Sequence, residues 1–444
     1  MLLISWGCKP IPEELPPLEE VETVVPVGSE RYLTGSSDYL FDQESLHTFE
    51  LTLSAAALGR LDADPAAEEY VEGSLSFEGE TISPVGIRYK GSVGAFVNCV
   101  SGNDWANPSG RKTCTKLSMK IKINWGDSDR KFYGVKKLQF HSQNLDPSHM
   151  HERLAYWLFR EMGVPGPRSV HARLIINGEY VGLFALTEQI DGRFARYNFE
   201  DGSGNVYKEV WPLTSNGQAQ ASNAFLSALK TNEDENPSVE LMRSFAKEIA
   251  KADESEAQAV VSKWMNVDEI ISYAVVDRAI RADDGPFHWY CGGGNSCSNH
   301  NYYWYEDPSE LQMHLIPWDM DNAFENIASN ANPVTPIADE WGETSANCNS
   351  FPYGAFGLRQ RSAACDKLIA AWAMFETEYD QKLLDFKAGP FTESQVNSLL
   401  DRWANQIRDA IAEADQLHGD AISVAKWESE LNDLKADLAV ARNK

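Results

Sequence analysis

Residues 301–321 read NYYWYEDPSELQMHLIPWDMD: two short aromatic and apolar runs around an acidic turn, the pattern of a β-hairpin. Asn301 opens the first run, and the Asp319-x-Asp321 pair closes the second. Side chains alternate along a strand, so the two carboxylates are expected on one side of its end. The hairpin would bring the Asn301 amide oxygen near them. Such a set suits a hard cation, Mg²⁺, Mn²⁺ or Ca²⁺. Upstream, across a Gly- and Cys-containing loop, stands a second acidic pair, Asp283-Asp284. One of these would accept or orient the proton of an attacking hydroxyl. Acids at a helix C-terminus oppose the macrodipole, which points to a role beyond helix stability. The sequence leaves open which of the two acts.

Outward from this hairpin the chain divides into two halves. Alternating strand patterns begin with TFELTLS near His47 and recur at 73–78, 84–90, 115–124 and 136–141. In TKLSMKIKIN, Leu117, Met119, Ile121 and Ile123 face one way, and Lys116, Ser118, Lys120 and Lys122 the other. Asp146, Pro147 and Gly163 bracket a helix whose buried stripe is Met150, Leu154, Trp157, Leu158 and Met162. A hairpin over 170–189 turns at Asn177-Gly178. After about residue 191 the pattern is helical, with an apolar helix near 267–281 and polar amphipathic helix over 366–444. We expect an α+β fold of two lobes: a β-rich lobe over 47–190, mostly antiparallel with one inserted helix, and a helical lobe over 191–444, with the chemistry in the cleft between them.

Residues 9–46 precede this and read as an extended tether, Pro/Glu-rich in their early part. The stretch MLLISWGC reads two ways. It is the tail of a lipoprotein signal with Cys8 as the lipidated residue, or an ordinary thiol near a terminus. The other six of the seven cysteines fall in local pairs, Cys99 with Cys114, Cys291 with Cys297, and Cys348 with Cys365. About fifteen pairings are open to six cysteines, and local pairing is the simplest. A bridge closing a loop of about fifteen residues contributes up to ~3 kcal/mol and persists in an oxidising compartment. Zinc spacing is poor, without paired Cys-x-x-Cys motifs.

The balance of 66 Asp+Glu against 39 Lys+Arg, −27 in all, argues against nucleic acid and anionic lipid as partners. It suits a basic protein partner, and it also suits solubility alone. No apolar run spans a bilayer.

A phosphate-bearing ligand needs cations. Lys116, Lys120 and Lys122 share a strand face, and Glu152 lies on the following helix to pair with one of them. Arg88-Tyr-Lys90-Gly91 is a weaker phosphate candidate. Glu188 stands where the chain leaves the first lobe and could meet an adenine edge. His141, His288 and His300 are expected in packing or surface roles. A Walker-type loop is absent from the sequence.

The segments IRYKG (87–91), KLSMKIKI (116–123), DPSHMHERLAYWLFREMGVPGP (146–167), INGEYVGLFALTEQID (176–191), GNVYK (204–208), HNYYWY (300–305) and IPWDMDNAF (316–324) together resemble the CotH kinase family, named for a spore-coat protein. The resemblance implies an atypical, secretory-type protein-kinase-like fold that uses ATP and a divalent metal to phosphorylate serines. It implies Asp319 as metal-binding, with Asn301 as a further metal ligand, and an Asp of the 283–284 pair as catalytic; Asp321 joins the metal set from the Asp-x-Asp pattern, and Lys208, at the end of GNVYK, is counted among the nucleotide contacts. Two departures stand out. The insertion GPFHWYCGGGNSCSN separates the acidic pair from Asn301. Ser-Val-Gly follows Gly91 where the family usually continues Asn-Ser-Ser.

The leading expectation is therefore an exported, lipid-anchored or secreted monomeric kinase acting on Ser or Thr of a basic, Ser-rich protein. The rivals are a catalytically inactive surface-binding or adhesion protein with a structural metal, and AMP transfer from the same site. A glycosyltransferase reading of Asp-x-Asp ranks last, because the first half lacks alternating strand–helix units.

Overall fold

The computed structural model describes residues 31–444 apart from 93, 105, 235–236, 293–295, 329–340, 343–346 and 353–358. Cys8 and the Pro/Glu-rich part of the expected tether lie outside the described residues. The first lobe is a closed barrel. Its strands are β1 (His47–Thr52), β2 (Val71–Phe77), β3 (Glu80–Tyr89), β4 (Met119–Lys122), β5 (Lys137–His141), β6 (Ser169–Ile176) and β7 (Glu179–Thr187), in spatial order β1-β2-β3-β4-β5-β7-β6. Neighbours pair antiparallel except β1 with β6, whose parallel register from His47↔Ala172 to Leu51↔Ile176 closes the ring. The expected, mostly antiparallel sheet is thus closed into a barrel, and closure removes both edges. Leu117, Met119, Ile121 and Ile123 are buried in the barrel core, as the alternation requires. Asn177 and Gly178 turn the β6–β7 hairpin with φ of 53° and 83°, the left-handed pair that a two-residue turn demands.

Residues 31–46, expected as the end of the tether, are folded. Short helices α1 (Arg31–Thr34) and α2 (Ser37–Leu40) lie against the barrel, with Leu40 and Phe41 buried. Arg168 holds them by donating to the Ser37 hydroxyl at 2.8 Å and to Asp38 at 2.5 Å. The signal is the pair of apolar residues after a Ser36 cap. Helix α3 (Ala55–Ala63) covers one side of β2.

Helix α4 (His151–Glu161) starts after a turn organised by Asp146. That carboxylate accepts from the backbone of Ser148, His149 and His151 at 3.0, 3.0 and 2.8 Å. Gly163, φ 78°, ends the helix. The second lobe comprises α5 (Gly192–Asn198), α6 (Ser222–Ala228), α7 (Glu240–Lys251), α8 (Glu254–Trp264), α9 (Val267–Ile280), α10 (Lys367–Ala373), α11 (Glu376–Ala388), α12 (Glu393–Leu417) and α13 (Val424–Asn443). It also carries two small sheets, one built on the expected 301–321 hairpin and one that the sequence reading lacked. One is β12-β11-β8, from β8 (Val206–Lys208), β11 (Tyr302–Asp307) and β12 (Gln312–Pro317). The other is β10-β9-β14-β13, from β9 (Trp289–Cys291), β10 (Cys297–Ser298), β13 (Phe351–Pro352) and β14 (Arg359–Arg361). Helix α12 reaches back onto the barrel, where Tyr180 donates to the Ala410 carbonyl at 3.0 Å. The three local cysteine pairs are disulfides, Cys99–Cys114, Cys291–Cys297 and Cys348–Cys365. Among the described residues no helix is long and apolar enough to cross a membrane.

Candidate active site

Strand register builds the upper wall. Tyr89, Met119 and Phe140 stand opposite one another across β3, β4 and β5 and point into the barrel core. Residues one position along therefore face outward together, and these are Lys90, Ser118 and His141. The Lys90 amine lies 2.6 Å from His141 Nε2, and His141 Nδ1 lies 2.8 Å from the Glu152 carboxylate. A chain Lys90–His141–Glu152 thus runs from β3 through β5 to α4. Glu152 is fully buried there. Burial pulls the Lys90 amine below its usual range, opposed by the charges of Asp319 and Glu152. Lys90 sits 5.6 Å over the ring of Trp318, which also meets the His141 ring edge-on at 5.7 Å.

The lower wall comes from the β11–β12 hairpin. Strand β12 stops at Pro317. Asp319 adopts left-handed φ 58°, ψ 59°, and Met320–Asn322 form a 3₁₀ turn. The two carboxylates therefore sit on a turn, which corrects the strand-end geometry expected from alternation. Helix α4 fixes that turn from above. The Asp319 N–H donates to the Tyr156 hydroxyl at 3.0 Å, and His151 Nδ1 bonds the Asp321 carbonyl at 2.8 Å. Burial raises both carboxyls above their ordinary value. For Asp319 the Glu152 charge adds to this, while Lys90, His141 and Lys208 oppose it. Asp321 is pushed further by Asp319, Glu152, Glu325 and Asp284.

The acidic pair divides at the end of α9. Arg281 caps the helix with φ 50°, and the chain turns away from the axis. Asp283 points inward, where it accepts from the Asn326 amide and lies 3.8 Å from His288. Burial pushes its carboxyl up to about 8. Asp284, φ 68°, points into the cleft and accepts from Asn301 Nδ2 at 3.0 Å. Burial and the neighbouring Asp319 raise it to about 7, opposed by hydrogen bonds from Tyr290 and Asn301. Tyr290 belongs to the insertion, so that segment contributes a contact to the site. The Asn301 N–H faces Glu209 at 3.3 Å, and Lys208 beside it on β8 stands opposite Tyr303.

The sequence-derived set is thus sorted. Asp319, Asp321, Asp284, Asn301, Glu152, Lys208 and Lys90 come together. Lys120 and Arg88 continue the outward basic strip next to Lys90, and Arg88 pairs with Glu68 at the rim. Lys116 does not reach the cleft. Its amine donates to the Leu183 carbonyl at 2.8 Å, and its nearest carboxylates are Asp146 and Asp420. Lys122 lies over the Trp125 ring. The lysine expected to face Glu152 is therefore Lys90, not one of the β4 set. Glu188 is consumed by Arg168, with contacts of 3.0 and 2.9 Å, and by Arg193. Its carboxylate ties β6, β7 and α5 together, which displaces the expected adenine contact. His141 was expected to pack; it is the bridge of the Lys–Glu chain. Glu209, Trp318 and Tyr290 were not singled out. Trp318 was visible only as the companion of Asp319.

The donors fit a divalent cation. The charge of Asp319 acts on Asp284 and Asp321 across the cleft, although the oxygens of the three do not all lie within 4.8 Å of one another. Asn301 spends its NH₂ on Asp284 and keeps its carbonyl oxygen. Oxygen ligands of this kind are those of Mg²⁺ or Mn²⁺. A lysine held by a buried acid, facing a carboxylate and amide cluster across a two-lobed cleft, defines a phosphotransferase-like site.

Comparison with known proteins agrees with that class. The chain belongs to the CotH kinase family, whose model, CotH kinase protein, matches residues 87–439. That membership makes its function kinase-like. The curated protein sequences contain no match. A solved Shewanella oneidensis MR-1 complex of the toxin–antitoxin proteins HipA and HipB with operator DNA is similar over 74% of this chain and 63% of that chain. The identity is 14% and the TM-score 0.26, too loose a superposition to carry an argument. The three disulfides suit an oxidising, extracytoplasmic setting.

Proposed function

We propose that this protein is an extracytoplasmic, ATP- and divalent-metal-dependent protein kinase that transfers phosphate to Ser or Thr of a partner protein. The observation that carries this reading is the meeting of Lys90, held through His141 by Glu152, with Asp319 and the Asn301–Asp284 pair. Lys90 binds phosphate oxygens, and the His141–Glu152 chain keeps its amine aimed. Lys208, partly exposed on the opposite wall, adds a second positive charge. Asp319, Asp321 and the Asn301 carbonyl oxygen hold the cation, Mg²⁺ or Mn²⁺. The cation would neutralise charge on the transferring phosphate.

Asp284 accepts the proton of the attacking hydroxyl as its oxygen bonds to the γ-phosphorus and the bridging oxygen leaves with ADP. A carboxyl poised near 7 suits that role. Trp318 walls the cleft and limits water. The acidic surface, −27 in all, favours a basic, Ser-rich acceptor. Export, with lipid on Cys8, fits the disulfides.

The test is incubation of the purified chain with γ-labelled and α-labelled ATP, Mg²⁺ or Mn²⁺, and basic Ser-rich proteins. Transfer of the γ label, lost in Asp319→Ala, is expected. Transfer of the α label instead would assign AMP transfer. No transfer, with ATP adding nothing to the thermal shift given by metal alone, would leave a binding protein.

A further inference from the structure

The tip of the β11–β12 hairpin holds a second constellation, at the opposite end of its strands from Asn301 and Asp319. Asp307, Glu310 and His314 each place one ligand atom within 4.8 Å of the others. Asp307 is fixed: its Oδ1 accepts from the Ser309 N–H at 2.8 Å, the Ser309 hydroxyl at 2.7 Å and the Glu310 N–H at 3.1 Å. Glu310 is exposed and free to swing. His314 is 5% exposed. Its Nδ1 lies 3.0 Å from Glu269 of α9, and its ring is held by Phe199 at 4.7 Å. Among the described residues Nε2 has no hydrogen-bond partner. A buried ring nitrogen left without one is uncommon. A histidine whose other nitrogen is oriented by a carboxylate is how proteins present an imidazole to a metal.

We infer that this turn binds a divalent transition ion, Zn²⁺ foremost, through His314 Nε2, Asp307 and Glu310, with water completing the shell. Imidazole with two carboxylates excludes the all-oxygen preference of Ca²⁺ and Mg²⁺ and suits zinc. The site is separate from the cleft, because six residues of strand span about 20 Å. Its effect is mechanical. Glu269 lies on the helix that delivers Asp283-Asp284, so the ion would fasten the hairpin carrying Asn301 and Asp319 to that helix.

The test uses the full chain with Asp319→Asn, which removes a ligand of the cleft, after chelator treatment and dialysis. Reloaded with Zn²⁺ and freed of excess ion, that protein is expected to hold one equivalent by elemental analysis. Its melting temperature should rise by about 3 °C at roughly 100-fold excess over Kd. Co²⁺ should give visible absorption bands. Adding Glu310→Gln or His314→Gln should abolish the stoichiometric zinc, the shift and the bands. Glu310 is exposed, so its variant folds even if His314→Gln does not. Zinc content unchanged in these variants, or no zinc bound with Asp319→Asn alone, would overturn the assignment in favour of a protonated His314 paired with its acids.

Discussion

The cleft around Lys90 and the cavity around Lys116 are built from the same residue types. Each has a lysine from the barrel, a histidine and an aspartate. In the cavity, of about 320 Å³ and lined by Lys116, Asp146 and His149, the lysine and the aspartate are spoken for, while His149 Nδ1 has no partner among the described residues. The Lys116 amine takes the Leu183 carbonyl, and Asp146 accepts from Ser148, His149 and His151. In the cleft, burial and Asp319 raise the carboxyls of Asp284 and Asp321, Asp284 adds to the latter, and the three have few donors between them among the described residues. Satisfied polar groups hold a fold; undersupplied carboxylates ask for a ligand.

The widest separation between the two regions should come from their lysines. Lys90→Met is expected to lower phosphate transfer by about 10³-fold, the scale of losing a preorganised charge on the transition state. Lys116→Met should stay near wild type in the same labelled-ATP assay. Equal losses would mean that the cavity, too, belongs to the chemistry. The acidic pair repeats the contrast within two residues. Asp284→Asn should cost about 10²-fold as a lost general base. Asp283→Asn keeps an oxygen for the Asn326 amide and should leave the rate near wild type. A reversed order would reassign the base.

How legible this was depended on whether the signal was local. Alternation in 117–123, the Asn177-Gly178 turn, the α4 stripe and the nearest-neighbour cysteine pairs are local, and each appears in the fold. The choice of lysine was not local. Lys90 and His141 face the same way only because Tyr89, Met119 and Phe140 are in register, and register is set by tertiary pairing. Barrel closure by the parallel β1–β6 pair is hidden for the same reason. Asp283 and Asp284 differ by the left-handed turn after α9, which no residue pattern there announces. Asn301 and Asp319 were readable because the hairpin that joins them is itself a local element.

His141 offers a finer test, because it acts through another residue. His141→Leu removes the link between Lys90 and Glu152 without touching a phosphate. As a positioning residue it should raise KM for ATP about tenfold, the scale of a lost supporting contact, with a smaller change in kcat. His141→Asn, which retains a side-chain hydrogen-bonding group, should recover part of the loss. A fall in kcat alone would place His141 among the groups that contact the reacting atoms.

The smallest effect is the pH dependence, and it separates the acidic pair by linkage. Asp283 and Asp284, at about 8 and about 7, keep protons that the unfolded chain releases near pH 4. The native state therefore binds more protons than the unfolded state between about pH 4 and 8, and stability must fall as pH rises through that window. In chelator, the melting temperature should decline from pH 5 to 8. Cation binding needs the carboxylates unprotonated, so the extra shift given by Mg²⁺ and ATP should grow over the same range. Asp283→Asn should flatten the chelator slope and leave the ligand-induced shift as pH-dependent as before, because its proton is held away from the cleft. Asp284→Asn should weaken both. If Asp283→Asn instead abolished the growth of the ligand shift, the inward carboxyl would be communicating with the cation, and the division between a structural acid and a working one would fail.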